Sequence, residues 1–340
     1  MKIEKLLVVM SVVMLIAVLP LSRAFSQEKA VSLNYANFFP PTHAHAVLGD
    51  AWAKEIEKRT NGRVKITYFP GGALGKGDEI YDNVLKGVAD IGMSVFGYTP
   101  GRFPSMEAIE VVFGYRSAKA ATSVINDFYK KFKPKEMDDV KVLYLHAHGP
   151  GILHTKKPVY KLEDLAGMKI RSTGTNAQMV KALGGTPVAM PQGDTYEALQ
   201  KGVVDGTFVP IEALKGWKQG EVIKYTTECY QVGYTQSVFV VINLKKWNSL
   251  PKDVQTIFEQ TSMEWIPKTA AVWDEIDQGG REFSLSLGNK IIPLSDEEGA
   301  RWAKAVEPIA DQYAEKVASK GLPGKEYVAE VRELIKKYNK

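Results

Sequence analysis

Cysteine is nearly absent: Cys229 is the only one in 340 residues, so no intramolecular disulfide can form. Its setting, Thr226-Thr227-Glu228-Cys229-Tyr230, reads as the approach to a strand and makes a structural thiol the simpler reading than a nucleophile. Long apolar runs are equally scarce. The single candidate, Leu6 to Leu19, is shorter than the roughly 20 residues a full transmembrane helix needs, and no later segment is apolar enough to cross a bilayer. Charge of one sign is lacking too. The net charge is +5, too mild to point to nucleic acid.

Catalytic signatures are also missing. Gly71 to Asp78 superficially resembles a phosphate loop because it holds Gly75-Lys76. The first required glycine is replaced by Pro70, and Gly77 stands where a magnesium-binding Ser or Thr belongs. Neither a G-x-S-x-G elbow nor an H-E-x-x-H pair occurs. Five histidines are present. His146 and His148 share one face of a predicted strand, but no Cys or carboxylate neighbours them at ligand spacing, which favours a solvated or cleft-lining pair over a metal site. His43, at the end of a Pro-Pro turn, is the better candidate to touch a ligand. No metal and no cofactor is expected.

What is present begins at the N-terminus. Lys2 and Lys5 precede the apolar run, Pro20 breaks it, and the small residues Ala24 and Ser26 follow. That is the layout of a secretory signal, expected over residues 1–26 with cleavage before Gln27; an uncleaved anchor is the alternative. The expected location is the periplasm. Hydrophobic residues make up 45% and charged residues 24%, the balance of a folded globular chain, and the length suits two domains.

Apolar periodicity predicts a regular succession of elements. Strands are expected at Val31–Asn37, Val64–Phe69, Val88–Val95, Val140–Leu145, Ile152–His154, Lys169–Ser172, Pro187–Met190 and Gln236–Asn243. Helices are expected at 43–59, 78–86, 176–183, 194–201, 252–282, 296–319 and 325–340, the last as a packed surface element. A second lobe is expected to begin near Val140–Leu145, with Gly149-Pro150-Gly151 as the first strong break. The strand at 236–243 is expected to return to the first lobe.

An internal similarity bears on the architecture. Tyr81-Asp82-Asn83-Val84-Leu85-Lys86-Gly87-Val88-Ala89-Asp90 resembles Tyr196-Glu197-Ala198-Leu199-Gln200-Lys201-Gly202-Val203-Val204-Asp205. Gly77-Asp78 and Gly193-Asp194 lie upstream, offset by one residue. In each unit Asp is expected to cap a helix, Tyr to face the sheet, and Gly to take the left-handed position that ends the helix. Two related lobes follow, with a ligand cleft near the carboxyl ends of their strands.

The strongest chemical feature is Leu165-Ala166-Gly167-Met168-Lys169-Ile170-Arg171-Ser172-Thr173-Gly174. A turn leads into a short strand that delivers Arg171 at its carboxyl end, with Ser172 and Thr173 just before a helix. Arginine grips a carboxylate through two parallel hydrogen bonds, and a helix start favours the same charge. An Arg–Asp surface pair is the alternative on chemistry alone.

Glu163 to Arg171, Leu183-Gly184-Gly185-Thr186-Pro187-Val188 and Tyr196 to Gly206 resemble the substrate-binding proteins of TRAP transporters, the DctP type. Pro70-Gly71-Gly72-Ala73-Leu74-Gly75 extends the likeness over nearly the whole mature chain. The resemblance implies an α/β, two-lobed periplasmic-binding-protein fold with hinge strands and a long interdomain helix. Lobe I is expected to comprise 27–147 plus 237–276, and lobe II 148–236 plus 277–340. It further implies capture of a small organic anion, with no bond chemistry, and delivery to the TRAP membrane permease. Presentation of the liganded state to a sensor kinase is the alternative.

Arg171 matches the family's carboxylate-binding arginine. The place of a second arginine, found in some members, holds Gly151, and the Asn often found after the Asp-Gly is missing from Thr207-Phe208-Val209-Pro210. Both departures favour one anionic head, a monocarboxylate such as an aromatic, 2-oxo or hydroxy acid, with a small sulfonate as the alternative. Expected ligand contacts are Arg171, Ser172, Thr173 and Gln192 as polar partners and Phe39, Phe96 and Phe208 as apolar walls. Phe38, His43, Tyr98 and Tyr234 complete the candidate set, and Trp217 belongs to the same aromatic pool.

Overall fold

Two prolines at 40 and 41 set the first connection of the chain. They stop strand β1 (Val31–Asn37) from continuing and leave His43 extended at the start of helix α1 (Ala44–Arg59). There the His43 Nδ1 accepts the His45 N–H at 3.2 Å, capping the helix. The computed structural model describes residues 30–174 and 176–340. The expected signal segment, residues 1–26, lies outside the described residues.

The chain continues through β2 (Val64–Phe69), α2 (Ile80–Lys86), β3 (Ile91–Val95), α3 (Ala118–Phe132) and β4 (Val140–Ala147). Then come β5 (Gly151–Thr155), β6 (Lys169–Ser172), α4 (Ala177–Ala182), β7 (Thr186–Ala189), α5 (Thr195–Gln200), β8 (Gly206–Pro210), α6 (Ala213–Gly216) and β9 (Tyr225–Glu228). The last part is β10 (Ser237–Asn243), α7 (Leu244–Ser249), α8 (Lys252–Ser286), β11 (Lys290–Pro293), α9 (Asp296–Val306), α10 (Pro308–Ala318) and α11 (Gly324–Tyr338).

These strands form two sheets, ordered β2-β1-β3-β10-β4 and β11-β9-β5-β8-β6-β7. In the first, β1 runs parallel to β2 and β3, while β10 runs antiparallel to β3 and β4. In the second, β6 is parallel to β7 and β8, and β5 is antiparallel to β8 and β9. Helices cover the faces, so the fold is α/β with two lobes. The return of β10 to the first sheet follows the expectation. The expected start of the second lobe near Val140 does not: β4 pairs with β10 along Val140–Ala147, and the second sheet begins only after the Gly149-Pro150-Gly151 break.

Helix α8 is 35 residues long, about 50 Å at 1.5 Å per residue. Its first half packs on α1, where the Trp265 Nε1–H donates to Leu48 O at 3.1 Å. Its later part receives the start of α6: a Cβ on Gly280 would lie 2.7 Å from the Glu212 Cα, so only glycine permits this approach. The expected single helix over 296–319 is two helices, because Pro308 has no N–H to continue the ladder.

The repeated unit is present as structure. Asp90 donates its N–H to Asn34 O at 2.9 Å and accepts the Asn34 N–H on Oδ2 at 2.8 Å. Asp205 treats Lys169 alike, at 2.7 and 2.8 Å. Gly87 and Gly202 take the left-handed conformation, with φ of 74° and 72°. Two details differ from expectation. Neither α2 nor α5 has a side-chain cap: Glu79 precedes α2, and the Asp194 carboxylate bonds no helix N–H. Tyr81 is buried, but Tyr196 is half-exposed and donates to Glu221 Oε2 at 3.1 Å.

Candidate functional site

The turn at Gly167 (φ 77°) ends a short 3-10 segment and starts β6, which carries Arg171 toward the first sheet. There the side chain is only 2% exposed. Its Nε and Nη2 both donate to a single neutral group, the Met190 carbonyl, at 3.1 and 2.8 Å. Among the described residues no carboxylate lies within ion-pair distance of it. A buried cation without a counter-charge costs several kcal/mol.

Elements of both lobes close around it. The Gln192 N–H donates to Tyr98 Oη at 3.1 Å, and the Gly174 N–H donates to Gly97 O at 3.2 Å. Burial pushes the Tyr98 phenol up, and the neighbouring Arg171 charge opposes that. Gln236 donates its amide to Thr173 Oγ1. His43 and Glu212 meet at 3.0 Å, with side chains 1% and 4% exposed. Phe38 stacks on Phe39 at 4.3 Å and on Trp217 at 6.1 Å between ring centres. The cavity these residues line is narrow, about 40 Å³.

Six of the eleven candidate residues line this cavity: Phe38, Phe39, Tyr98, Arg171, Gln192 and Tyr234. Gln192 is 8% exposed, and neither amide atom of its side chain has a protein partner. Buried polar groups are seldom left unpaired in a folded interior. Thr173 stands one bond behind the lining, through Gln236. Ser172 is fully buried with an unpartnered hydroxyl, beside the cavity lining rather than in it. His43 is held by Glu212 and stacks on Phe39 at 4.4 Å. Phe96 and Phe208 lie outside the cavity lining, in the hydrophobic core. Phe96 packs edge-on against Phe103 and Phe239, and Phe208 contributes only its carbonyl, which accepts the Tyr234 hydroxyl at 2.8 Å.

His148, Glu212, Gln236, Trp217 and Trp273 also line the cavity, with Val95, Val209, Pro210 and Val238. Glu212 had a readable signal: a carboxylate two residues past the carboxyl end of β8, where a cleft is expected. Trp273 had none, because a tryptophan in a long helix is ordinarily core. His148 is neutral and oriented. Its Nδ1 faces Gly149 O at 2.5 Å and its Nε2 accepts the Gln236 N–H at 3.1 Å, and burial lowers it to about 4. His146 accepts the Trp273 indole N–H at 2.9 Å. Among the described residues no group of three or more His, Cys, Asp or Glu is placed to hold a metal ion.

Residues 40–316 match the model of bacterial extracellular solute-binding protein, family 7, DctP, and the chain belongs to that family. A TRAP periplasmic solute-binding protein from Desulfovibrio salexigens shares 35% identity, covering 91% of this chain and 96% of that one with a TM-score of 0.79. A marine metagenome TRAP solute-binding protein specific for aromatic acid ligands, solved with metahydroxyphenylacetate, shares 32%, covering 91% and 100% with a TM-score of 0.86. The monocarboxylate 2-oxoacid-binding periplasmic protein of Nostoc is 28% identical over 260 residues, 72% of this chain and 69% of that protein. This is therefore a TRAP-type solute-binding receptor, in a family of extracellular binding proteins rather than enzymes.

Proposed function

We propose that this receptor captures a small monocarboxylate, an aromatic acid above all, in the periplasm and delivers it to a TRAP membrane permease. The observation that carries the reading is the unpaired charge of Arg171, which is 2% exposed and meets neutral partners, Met190 O and the Tyr98 hydroxyl, with no carboxylate in ion-pair contact among the described residues. One cation without a counter-ion matches one anionic head. The rings of Phe38, Phe39, Trp217, Tyr234 and Trp273 around it match a flat apolar body. Support also comes from the relatives named for aromatic acids and for 2-oxoacids. In this reading residues 27–147 with 237–276 move as one lobe and 148–236 with 277–340 as the other. Closure removes water from the Arg171–carboxylate pair and strengthens it.

The test is a thermal-shift screen over aromatic and aliphatic carboxylates, their sulfonate counterparts and neutral sugars. A ligand at 100 times its dissociation constant adds about 2.7 kcal/mol of stability. A stabilising monocarboxylate is the expected hit. A shift with a neutral sugar and with no acid overturns the reading.

A further inference from the structure

Glu212 is a second charge in the cavity, and Arg171 does not neutralise it. Both residues line the same space, yet no ion pair joins them. The Glu212 carboxylate is instead built into a support of its own. Its Oε2 faces His43 Nε2 at 3.0 Å. His43 Nδ1 is occupied as acceptor of the His45 N–H, which makes Nε2 the nitrogen that donates to Glu212. The Glu212 N–H donates to Asp277 Oδ1 at 3.0 Å and holds the backbone. A Cβ on Gly216 would lie 2.6 Å from Glu212 Oε2 and 3.0 Å from His43 Nε2, so bare backbone gives the pair its room.

These contacts use one carboxylate oxygen. Among the described residues no donor reaches Oε1, in a side chain that is 4% exposed and stands between the cavity and a neighbouring groove lined by His43, Lys215 and Lys218. An unpartnered carboxylate oxygen in a largely buried side chain gains from a ligand that donates a hydrogen bond to it and repels a second carboxylate. The unpartnered Gln192 amide belongs to the same lining, so the space between Arg171 and Glu212 offers acceptors as well as donors.

We propose that Glu212 is the specificity residue for a hydroxyl on the ligand: the receptor takes an aromatic monocarboxylate that also carries a hydroxyl group, whose O–H donates to Glu212 Oε1 while Arg171 holds the acid. This rests on the aromatic-monocarboxylate reading above. It assigns Glu212 the task of telling hydroxylated acids from their parents and from dicarboxylates.

Calorimetric titration of the mature receptor with benzoate, phenylacetate, their 3- and 4-hydroxy derivatives and isophthalate tests it. At least one hydroxy derivative is expected to bind the wild type tighter than its parent, on the order of ten- to a hundred-fold, as a hydrogen bond to a charged group contributes. Isophthalate is expected to be rejected. In Glu212→Gln the His43 N–H takes the amide oxygen and turns the NH₂ toward the cavity. The ratio of hydroxylated to parent affinity then collapses, and isophthalate gains. Equal wild-type affinities for parent and hydroxylated acids overturn the inference while leaving the monocarboxylate reading in place. So does an unchanged ratio in Glu212→Gln with both affinities lowered together, since that marks the residue as a latch between the lobes. If none of these acids binds the wild type, the aromatic reading itself falls, and this inference with it.

Discussion

The ring of Tyr234 occupies the space that a side chain at Gly151 would fill. A Cβ added there would overlap the ring, coming within 2.6 Å even of Cζ, and the Gly151 N–H donates to Tyr234 O at 2.7 Å. Tyr234 is thereby fixed as a wall of the cavity with its hydroxyl on Phe208 O. Gly151→Ala forces that ring to move. The expected cost is about 1–3 kcal/mol of stability, as for overpacking a tight interior, together with weaker binding of the ligand. Urea denaturation and calorimetry measure the two effects; a variant with wild-type stability and affinity contradicts the arrangement.

Removing the Arg171 guanidinium has opposite consequences in the two states of the receptor. Arg171→Ala loses roughly 2–5 kcal/mol of ligand affinity, the range for truncating one partner of a buried charge pair. Arg171→Lys also binds poorly, because an ammonium cannot reproduce the planar fork. Arg171→Met, by contrast, leaves the ligand-free protein as stable as wild type or more so, since an uncompensated buried charge is removed. Melting curves without ligand that fall steeply in Arg171→Met show that the guanidinium is instead a structural member.

Much of this was legible in the sequence, for reasons that particular residues make clear. The repeated Lys-Gly-Val-x-Asp unit was readable because each residue type has one definite task. Each Gly needs the left-handed conformation, and each Asp ties the chain back to an earlier strand, β1 or β6, through one pair of hydrogen bonds. Arg171 was readable because a short strand aims it. Phe96 and Phe208 were not separable from wall residues such as Phe39, since all three sit in a strand or just beyond one and only the packing of the elements decides which ring meets the cavity. Trp273 and Glu212 were missed for the same reason: α8 and β8 bring them together from more than fifty residues apart.

Acid should weaken the fold before it protonates most carboxylates. Burial lowers His146 to about 3 and His148 and His154 to about 4, and it lowers His45 as well. In the unfolded chain these groups take up protons near 6.5, while the folded protein resists until about 4. Their contribution is therefore complete above pH 6.5 and is lost as pH falls toward 4, each group supplying up to about 1.4 kcal/mol per pH unit. Asp277, whose carboxyl burial pushes up, acts in the opposite sense. Urea midpoints at pH 7.5, 6 and 5 should fall in that order; equal midpoints contradict the assignment.

Cys229 is fully buried, and burial pushes its thiol up to about 12. Reactivity follows the thiolate, so a disulfide reagent should label it negligibly at neutral pH in the native protein and rapidly in urea. Fast native labelling contradicts the packing of the turn that follows β9.

The place of β10 also sets a timetable for folding. It lies between β3 and β4 in the first sheet, yet residues 237–243 follow the whole of β5 through β9 in the chain. Any nascent or truncated chain that ends before residue 237 carries a gap in the middle of that sheet, with the β3 and β4 edges unpaired. Contacts this distant in sequence raise the contact order and slow folding. A polypeptide built in this order stays incomplete until most of it has been made.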